Sequence, residues 1–383
     1  MKDRIYLDHA ATTPVHPEVL AAMMPYFTQV YGNPSSIHSF GREARVAVNR
    51  FRDRIAELLD CEPQELVFTG SGSESDNLAV LGALQAMPAG GHLVTTSIEH
   101  HAVLNTFRHL EGRGYDVTYL PADSYGRVDP AWVEAALRPD TRLVSVMYAN
   151  NEVGTLQPVE TIGRIVRERG ILFHCDAVQA LGSIPIRLSQ FPVDLMSFSA
   201  HKIRGPKGIG LLYVRDKTAL YPLIHGGSQE RRRRAGTENV PGIAGLAKAL
   251  ELAVGDLPES AARLNGLRSH LLDVLRSELG EEAFVVNGHP TERLPHILNV
   301  SFPGISAETM LMNLDLEGIA ASAGSACTAG SLEPSHVLRA MGLPEERVQS
   351  AIRFSFGSDN VHDSVTIAGR KIATIVKRLR NRK

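Results

Sequence analysis

Six short apolar runs punctuate the middle of the chain: "HLVTTS", "YDVTYLP", "TRLVSVMY", "ILFHCD", "VDLMSFS" and "GIGLLYV". They are apolar along most of their length rather than strictly alternating, as strands are when both faces are buried. Between several of them the spacing is helical. In "PVETIGRIVRERG", Val159, Ile162 and Val166 recur three to four residues apart. Strand and helix in alternation predict an α/β fold, with a mainly parallel sheet covered by helices.

Near Thr237 the pattern changes. Glu238 to Leu279 reads as long helix, with a break expected at "LPES", Leu257 to Ser260. A strand follows at "FVVN", another at "HILNVSF", a helix from Ala307 and a strand at "AIRFSF". The last helix carries Val365, Ile372, Val376 and Leu379 on one stripe. This predicts a smaller α+β domain of residues 257–383, taking its first strand from residues 1–12, beside a large domain of residues 13–256.

Ligands of open α/β sheets sit beyond the carboxyl ends of the strands, often where domains meet. Asp176 closes "ILFHCD", with Gln179 three residues on, and "VDLMSFS" leads through Ser199 to His201 and Lys202. A lysine there either snorkels to solvent or, held in an apolar cleft, loses its proton readily and forms Schiff bases. A lone strand-end aspartate is commonly a cap. The pair means more. A Schiff-base lysine with a carboxylate at another strand end is what pyridoxal phosphate uses, the carboxylate keeping a proton on the pyridine nitrogen.

"FTGSGSESDNLAVLGAL" offers a phosphate a strand, a Gly/Ser turn and a helix opening near Ser73. The plain alternative is a capped helix, with Ser71 or Ser73 at the cap. His100 lies just past "HLVTTS", where it can face a cofactor ring. A metal reading of the His100–His101 pair is poor, because neighbours in a helix or strand do not share a face. Asn151 in "YANNEVGT" offers an amide for a carboxylate or a phenolic oxygen. Arg353 in "AIRFSFG" is either a bidentate partner for a substrate carboxylate or a surface residue on a two-sided strand.

Composition narrows the partners. The chain has 383 residues, a formal net charge of -2 and 21% charged residues, which favours neither nucleic acid nor an anionic membrane. The three cysteines make no disulfide framework, "MKDRIYLDHAATTP" lacks the apolar core of a signal peptide, and no apolar run is long enough to span a bilayer. A cytoplasmic protein is expected. Cys175, ending an apolar strand, reads as core, and Cys61 as half exposed. Cys327 differs: in "ASAGSACTAGS" it sits among ten residues that are all Ala, Gly, Ser or Thr. Such residues fill no core, so the thiol is either a surface cysteine or a reactive one.

Together these segments resemble the cysteine desulfurases, pyridoxal-phosphate enzymes of fold type I, class V. The motifs are "YLDHAATTP", "GNPSSIH", "ESDNLA", "EHHAVL", "NNEVGT", "HCDAVQA", "SAHKIRGPKGIG", "RAGTENV", "LNVSF", "GSACTAGSLEPSHVLRAMG" and "RFSFG", running from Tyr6 to Gly357. The long cysteine segment is similar to the group with an extended catalytic loop, the iron–sulfur-assembly and nitrogen-fixation types. The resemblance implies that Lys202 holds the cofactor, Asp176 pairs with its ring nitrogen, Gln179 bonds its 3-oxygen and His100 stacks on the ring and moves protons. Gly72, Ser73, Ser199 and His201 would hold the phosphate, joined by Thr237 from a second subunit, so a homodimer is implied. Asn151 and Arg353 would hold the carboxylate of L-cysteine, and Cys327 would take its sulfur as a persulfide, leaving L-alanine.

The acceptor would be an iron–sulfur scaffold or another sulfur-accepting protein. There is no firm metal site, only Cys327 as a transient iron–sulfur ligand during transfer. The chain departs from the family at "GSGSES", where Ser73 keeps a hydroxyl, at Ala323, which loses one, and in its short end at Lys383. Arg231 to Arg234 read as a solvated loop near the dimer interface. The runners-up are a selenocysteine lyase, a small-amino-acid aminotransferase, which has no use for Cys327, and a non-catalytic scaffold-binding relative.

Overall fold

The computed structural model describes residues 4–324 and 334–381. The chain opens on a two-residue strand, β1 (Ile5–Tyr6). A seven-stranded sheet follows, built from β2 (Leu66–Thr69), β3 (His92–Thr96), β4 (Asp116–Leu120), β5 (Thr141–Ser145), β6 (Leu172–Asp176), β7 (Leu195–Ser199) and β8 (Gly210–Val214). Its order is β2-β8-β7-β6-β5-β3-β4. The six runs seen in the sequence are β3 to β8. Pairings from β4 across to β7 are parallel, while β8 runs antiparallel to both β7 and β2.

The two reversals cancel. β2 therefore runs the same way as β7, and the carboxyl ends of β2, β3, β5, β6 and β7 all reach one edge of the sheet. The turn after β2 passes so close to the start of β8 that a Cβ on Gly210 would lie 2.5 Å from the Ser71 carbonyl. Only glycine fits there.

Beyond the sheet, the helix Val240–Gly255 stops at Asp256 and Leu257–Leu279 begins at once. The break thus comes one residue before the expected Leu257–Ser260. Those four residues open the second helix, and Pro258 falls in its first turn, where a missing N–H costs nothing. A three-stranded antiparallel sheet follows, from β9 (Val285–Asn287), β10 (Ile297–Ser301) and, after β11 (Ile319–Ala320), β12 (Ala351–Ser355). β1 pairs with β11, Ile5 against Ile319, and Ser355 donates its N–H to the Leu7 carbonyl. The helices Leu257–Leu279 and His362–Arg380 cover this part, burying Leu271, Leu275, Ile372 and Val376 with Leu7, Phe302 and Phe354 in one cluster. A larger cluster surrounds the seven-stranded sheet. Among the described residues no helix is long and apolar enough to cross a membrane.

One buried ion pair ties a strained loop to this frame. Arg52, on the helix Ser39–Leu59, grips both carboxylate oxygens of Glu230 and also donates to the Leu66 carbonyl at 2.7 Å. Phe68 donates its N–H to the same carboxylate at 3.0 Å. Glu230, Arg231 and Arg232 all have left-handed φ, at 44°, 55° and 64°. Side-chain-bearing residues adopt that region at a cost, which the Glu230 anchor offsets. The arginine run is therefore not wholly solvated, as expected from its charge. Arg231 and Arg232 are exposed, but Arg233 donates to the Gln64 carbonyl and Arg234 pairs with Glu74 at 2.9 Å, because the anchored turn presses that end against the sheet.

Replacing Arg52 by alanine leaves the Glu230 carboxylate buried and unpaired. Arg52→Ala is expected to lose about 3–5 kcal/mol of stability in urea unfolding. A loss below about 1 kcal/mol would mean that the pair does not hold the loop.

Candidate active site

Most side chains of the site stand just past the end of a strand, while Arg353 sits in the middle of β12. After β7 the chain makes a 3-10 turn, Ala200–Lys202, and the Lys202 amine donates to the carbonyls of Ala10 at 2.6 Å and Ala11 at 2.9 Å. Gln179 also donates to the Ala10 carbonyl, at 3.0 Å. The amino-terminal segment is stitched to the lysine turn from its other side: Thr13 donates its hydroxyl to the His201 carbonyl at 2.8 Å and accepts the Arg204 N–H at 2.9 Å.

Asp176 is the last residue of β6. It is buried, and Oδ1 accepts the Val178 N–H at 2.9 Å. Burial pushes its pKa up, while that N–H and the Lys202 charge work the other way. His100 caps the helix His101–Glu111, its Nδ1 accepting the Ala102 N–H at 3.1 Å. Burial, aided by Lys202, lowers His100 to about 4, so the ring is neutral. His101 is structural: its ring stacks on His336 at 4.6 Å. His201, with Nδ1 at 3.2 Å from the Thr12 hydroxyl, is also lowered to about 4 by burial and by Lys202.

On the β2 side, Ser71 caps the helix Gly72–Asn77 by accepting the Glu74 N–H at 3.1 Å. This decides between the two cap candidates and leaves the Ser73 side chain exposed. A Cβ on Gly72 would come within 2.8 Å of Val178. On the opposite side Arg353 is only 3% exposed, which excludes the surface reading. It donates to the Asn151 carbonyl at 2.8 Å and pairs with Asp8 at 2.9 Å.

One cavity of about 430 Å³ gathers these groups: Gly72, Ser73, His100, Asn151, Asp176, Gln179, Ser199, His201, Lys202 and Arg353 all line it. Two expected residues stand apart. Thr237 is exposed and does not line this cavity, because its turn is held outside by Arg234 on Glu74. Cys327 lies outside the described residues. Cys175 and Cys61 are free thiols held in the protonated form, Cys175 raised by burial and Cys61 pushed up to about 12. Neither is a ready nucleophile.

Sequence reasoning missed the Ala10 and Ala11 carbonyls, which become visible only when the chain crosses back over the lysine. It also missed Asp76, which lines the cavity one turn after Gly72. Their spacing of four puts both on one helix face, the single signal available in the sequence. An amine, a buried carboxylate, a neutral imidazole and a glycine-opened turn at one cavity fit a phosphorylated pyridine aldehyde. A Cβ at Gly72 would narrow the space that such a phosphate needs.

Comparison with known proteins gives concordant results. The family described as Aminotransferase class-V matches residues 5–367. The cysteine desulfurase IscS of Methanosarcina thermophila is 49% identical over 378 residues, 98% of this chain and 93% of its own. Among solved structures, a NifS-like protein superposes with a TM-score of 0.92 at 40% identity, over 98% of this chain and 100% of that one. SspA, in complex with cysteine, does so with 0.80 at 39% identity, over 93% and 100%.

Beneath the cavity His174 is wholly buried and lowered to about 3 by burial. An unfolded histidine titrates near 6.5. As pH falls from 6.5, the unfolded chain takes a proton that the folded one refuses, so this stability is present above 6.5 and lost on acidification. His174→Asn should cost stability at pH 7 through its hydrogen bonds. That cost should shrink by about 1.4 kcal/mol per pH unit between pH 6.5 and 4.5. A pH-independent cost in urea unfolding would contradict the neutral buried ring.

Proposed function

The chain belongs to the class-V aminotransferase family and within it to the cysteine desulfurases, enzymes of sulfur transfer, and from that premise we propose that pyridoxal 5'-phosphate is its cofactor and Cys327 its sulfur acceptor. The observation that carries this reading is the convergence of Lys202, Asp176, His100 and Arg353 on one cavity. When bound, the cofactor supplies an electron sink next to the substrate's α-carbon.

The chain supplies the rest. Lys202 would hold the cofactor through its amine, and the Ala10 and Ala11 carbonyls already aim that amine. Asp176 would meet the ring nitrogen and favour its protonated form. His100, neutral and packed at the cavity wall, would cover the ring and could accept a proton. Gly72, Ser73, Ser199 and His201 would take the phosphate, Gln179 the 3-oxygen, and Asn151 and Arg353 the substrate carboxylate. The Lys202 amine would take the substrate's α-proton and return it before the product leaves. The Cys327 thiolate then attacks the substrate sulfur. A sulfur–sulfur bond forms as the carbon–sulfur bond breaks, the carbon keeps the electron pair and gains a proton, and L-alanine leaves. Gly324, three residues before Cys327, lines the cavity, which supports an approach from that side.

The reading extends to a homodimer in the cytoplasm. Ile37 is 88% exposed, and Met24, Phe27, Tyr31 and Phe40 are exposed apolar neighbours in sequence, more than a monomer ordinarily leaves in water. Thr237, outside its own cavity, is available to the partner's phosphate. Residues 13–256 and the remainder serve as large and small domains, although the cluster around the seven-stranded sheet also takes in Leu294, Val337 and Met341 from the second part. The persulfide would pass to an iron–sulfur scaffold or another acceptor protein.

Purified protein is expected to be yellow and to convert L-cysteine to alanine and, with a reductant, sulfide. Cys327→Ser should keep the colour and lose turnover by about 10³-fold or more, the order seen when a covalent nucleophile is removed. Lys202→Ala should lose the colour after dialysis. A Cys327→Ser protein with normal turnover would sink the reading.

A further inference from the structure

The cavity holds a carboxyl group that the chemistry above does not use. Asp76 is 2% exposed and lines the cavity beside Asp176 and His100, and ligand-capable atoms of the three lie within 4.8 Å of one another. Its Oδ1 has no hydrogen-bond partner. The nearest cationic candidate is His174, with Nε2 at 3.6 Å, but that ring is held neutral by burial. Asp176 is better served, with the Val178 N–H on Oδ1 and Lys202 across the cavity.

Two buried carboxylates this close, with no cation between them, do not both stay ionised. The charge settles where the donors are. Most groups around the pair favour this. Burial raises Asp76 and Asp176 raises it further, against a Ser197 hydrogen bond that works the other way. Glu99, from the segment after β3, is itself raised to about 8 by burial. His100 and His174 are neutral, and Lys202 is the nearby cation.

We propose that Asp76 is a positioning residue for Asp176: the proton-bearing member of a carboxyl pair that carries one negative charge, kept on the Asp176 oxygens that meet the cofactor ring. A buried hydroxyl–imidazole row backs it. Ser145 Oγ is 2.8 Å from His174 Nδ1, and His174 Nε2 is 3.0 Å from Ser197 Oγ, with the three on neighbouring strands β5, β6 and β7. The Ser197 hydroxyl in turn hydrogen-bonds the Asp76 carboxyl. This row holds the Asp76 carboxyl from behind, with the unpartnered Oδ1 3.6 Å from His174 Nε2. In this pair the Asp76 O–H would donate to Asp176 and, unlike Lys202, add no charge that would oppose the ring's own.

The proposal rests on the reading that Asp176 meets a pyridoxal phosphate ring, and the test separates the two. Wild type, Asp76→Asn and Asp76→Ala are compared as full chains. Asparagine is near-isosteric, neutral and still a donor, so Asp76→Asn should bind pyridoxal phosphate within about threefold of wild type and keep the pH midpoint of its visible band. Alanine removes the donor. Asp76→Ala should bind about tenfold more weakly, the size of one hydrogen bond to a charged group, with a shifted midpoint. In infrared difference spectra of the cofactor-free proteins at pH 7, Asp76→Asn should lose a protonated-carboxyl carbonyl band. The proposal fails if that band is absent from the difference, or if Asp76→Asn binds tenfold more weakly with an unchanged near-UV circular dichroism spectrum. If wild type itself binds no pyridoxal phosphate, the cofactor reading is at fault, and the infrared comparison still decides the state of Asp76.

Discussion

Strand direction is the constraint on which this active site depends. Four parallel strands, β3, β5, β6 and β7, end at one edge, and the double reversal through β8 returns β2 to it. Each of these strands is largely buried, and the groups that line the cavity come from the segments just past their ends. If β2 ran the other way, Gly72 and Ser73 would lie at the far edge and the cavity would have an amine and a carboxylate with no place for a phosphate. Gly210 is the local condition for this arrangement, since any side chain there would collide with the turn that carries Ser71.

Desolvation dominates the titration of Asp76, Glu99, His100, His174, Asp176 and His201 in and behind this wall. Burial disfavours charge whatever its sign. It makes the histidines neutral and tends to protonate the acids. The protein therefore offers a ligand a nearly uncharged wall with a few fixed exceptions. A phosphate and a substrate carboxylate entering it meet Arg353 and Lys202 with little competition from mobile charge.

The amino-terminal segment links the two halves of the molecule. Residues 5 to 7 bond to β11 and β12, while Ala10, Ala11 and Thr13 bond to the lysine turn beyond β7. A few residues thus join the small antiparallel sheet to the reactive amine. Arg353, from β12, reaches the same place by pairing with Asp8. The elements that carry Arg353 and Lys202 are coupled through this segment, so a shift in one part changes the aim of the other.

The apolar runs determined β3 to β8 and the helices between them, because a strand buried on both faces, as all of these but the edge strand β4 are, has few other ways to be written. Lys202, Asp176 and His100 were legible for the same reason: polar residues immediately past such runs stand out. The small-residue setting of Cys327 was equally plain. Tertiary structure decided what chain neighbours could not. Asp76 in "ESDN" reads as an acid suited to a helix start, and only packing against β6 and β7 turns it toward Asp176. Arg353 is ambiguous on a two-sided strand until Asp8 arrives from 345 residues away to bury it. The order of the sheet, the carbonyls that hold the Lys202 amine and the place of Thr237 outside its own cavity follow from contacts between distant segments. Local pattern records which residues need burial or a partner. Which partner each one gets is set by the free energy of the whole packed chain.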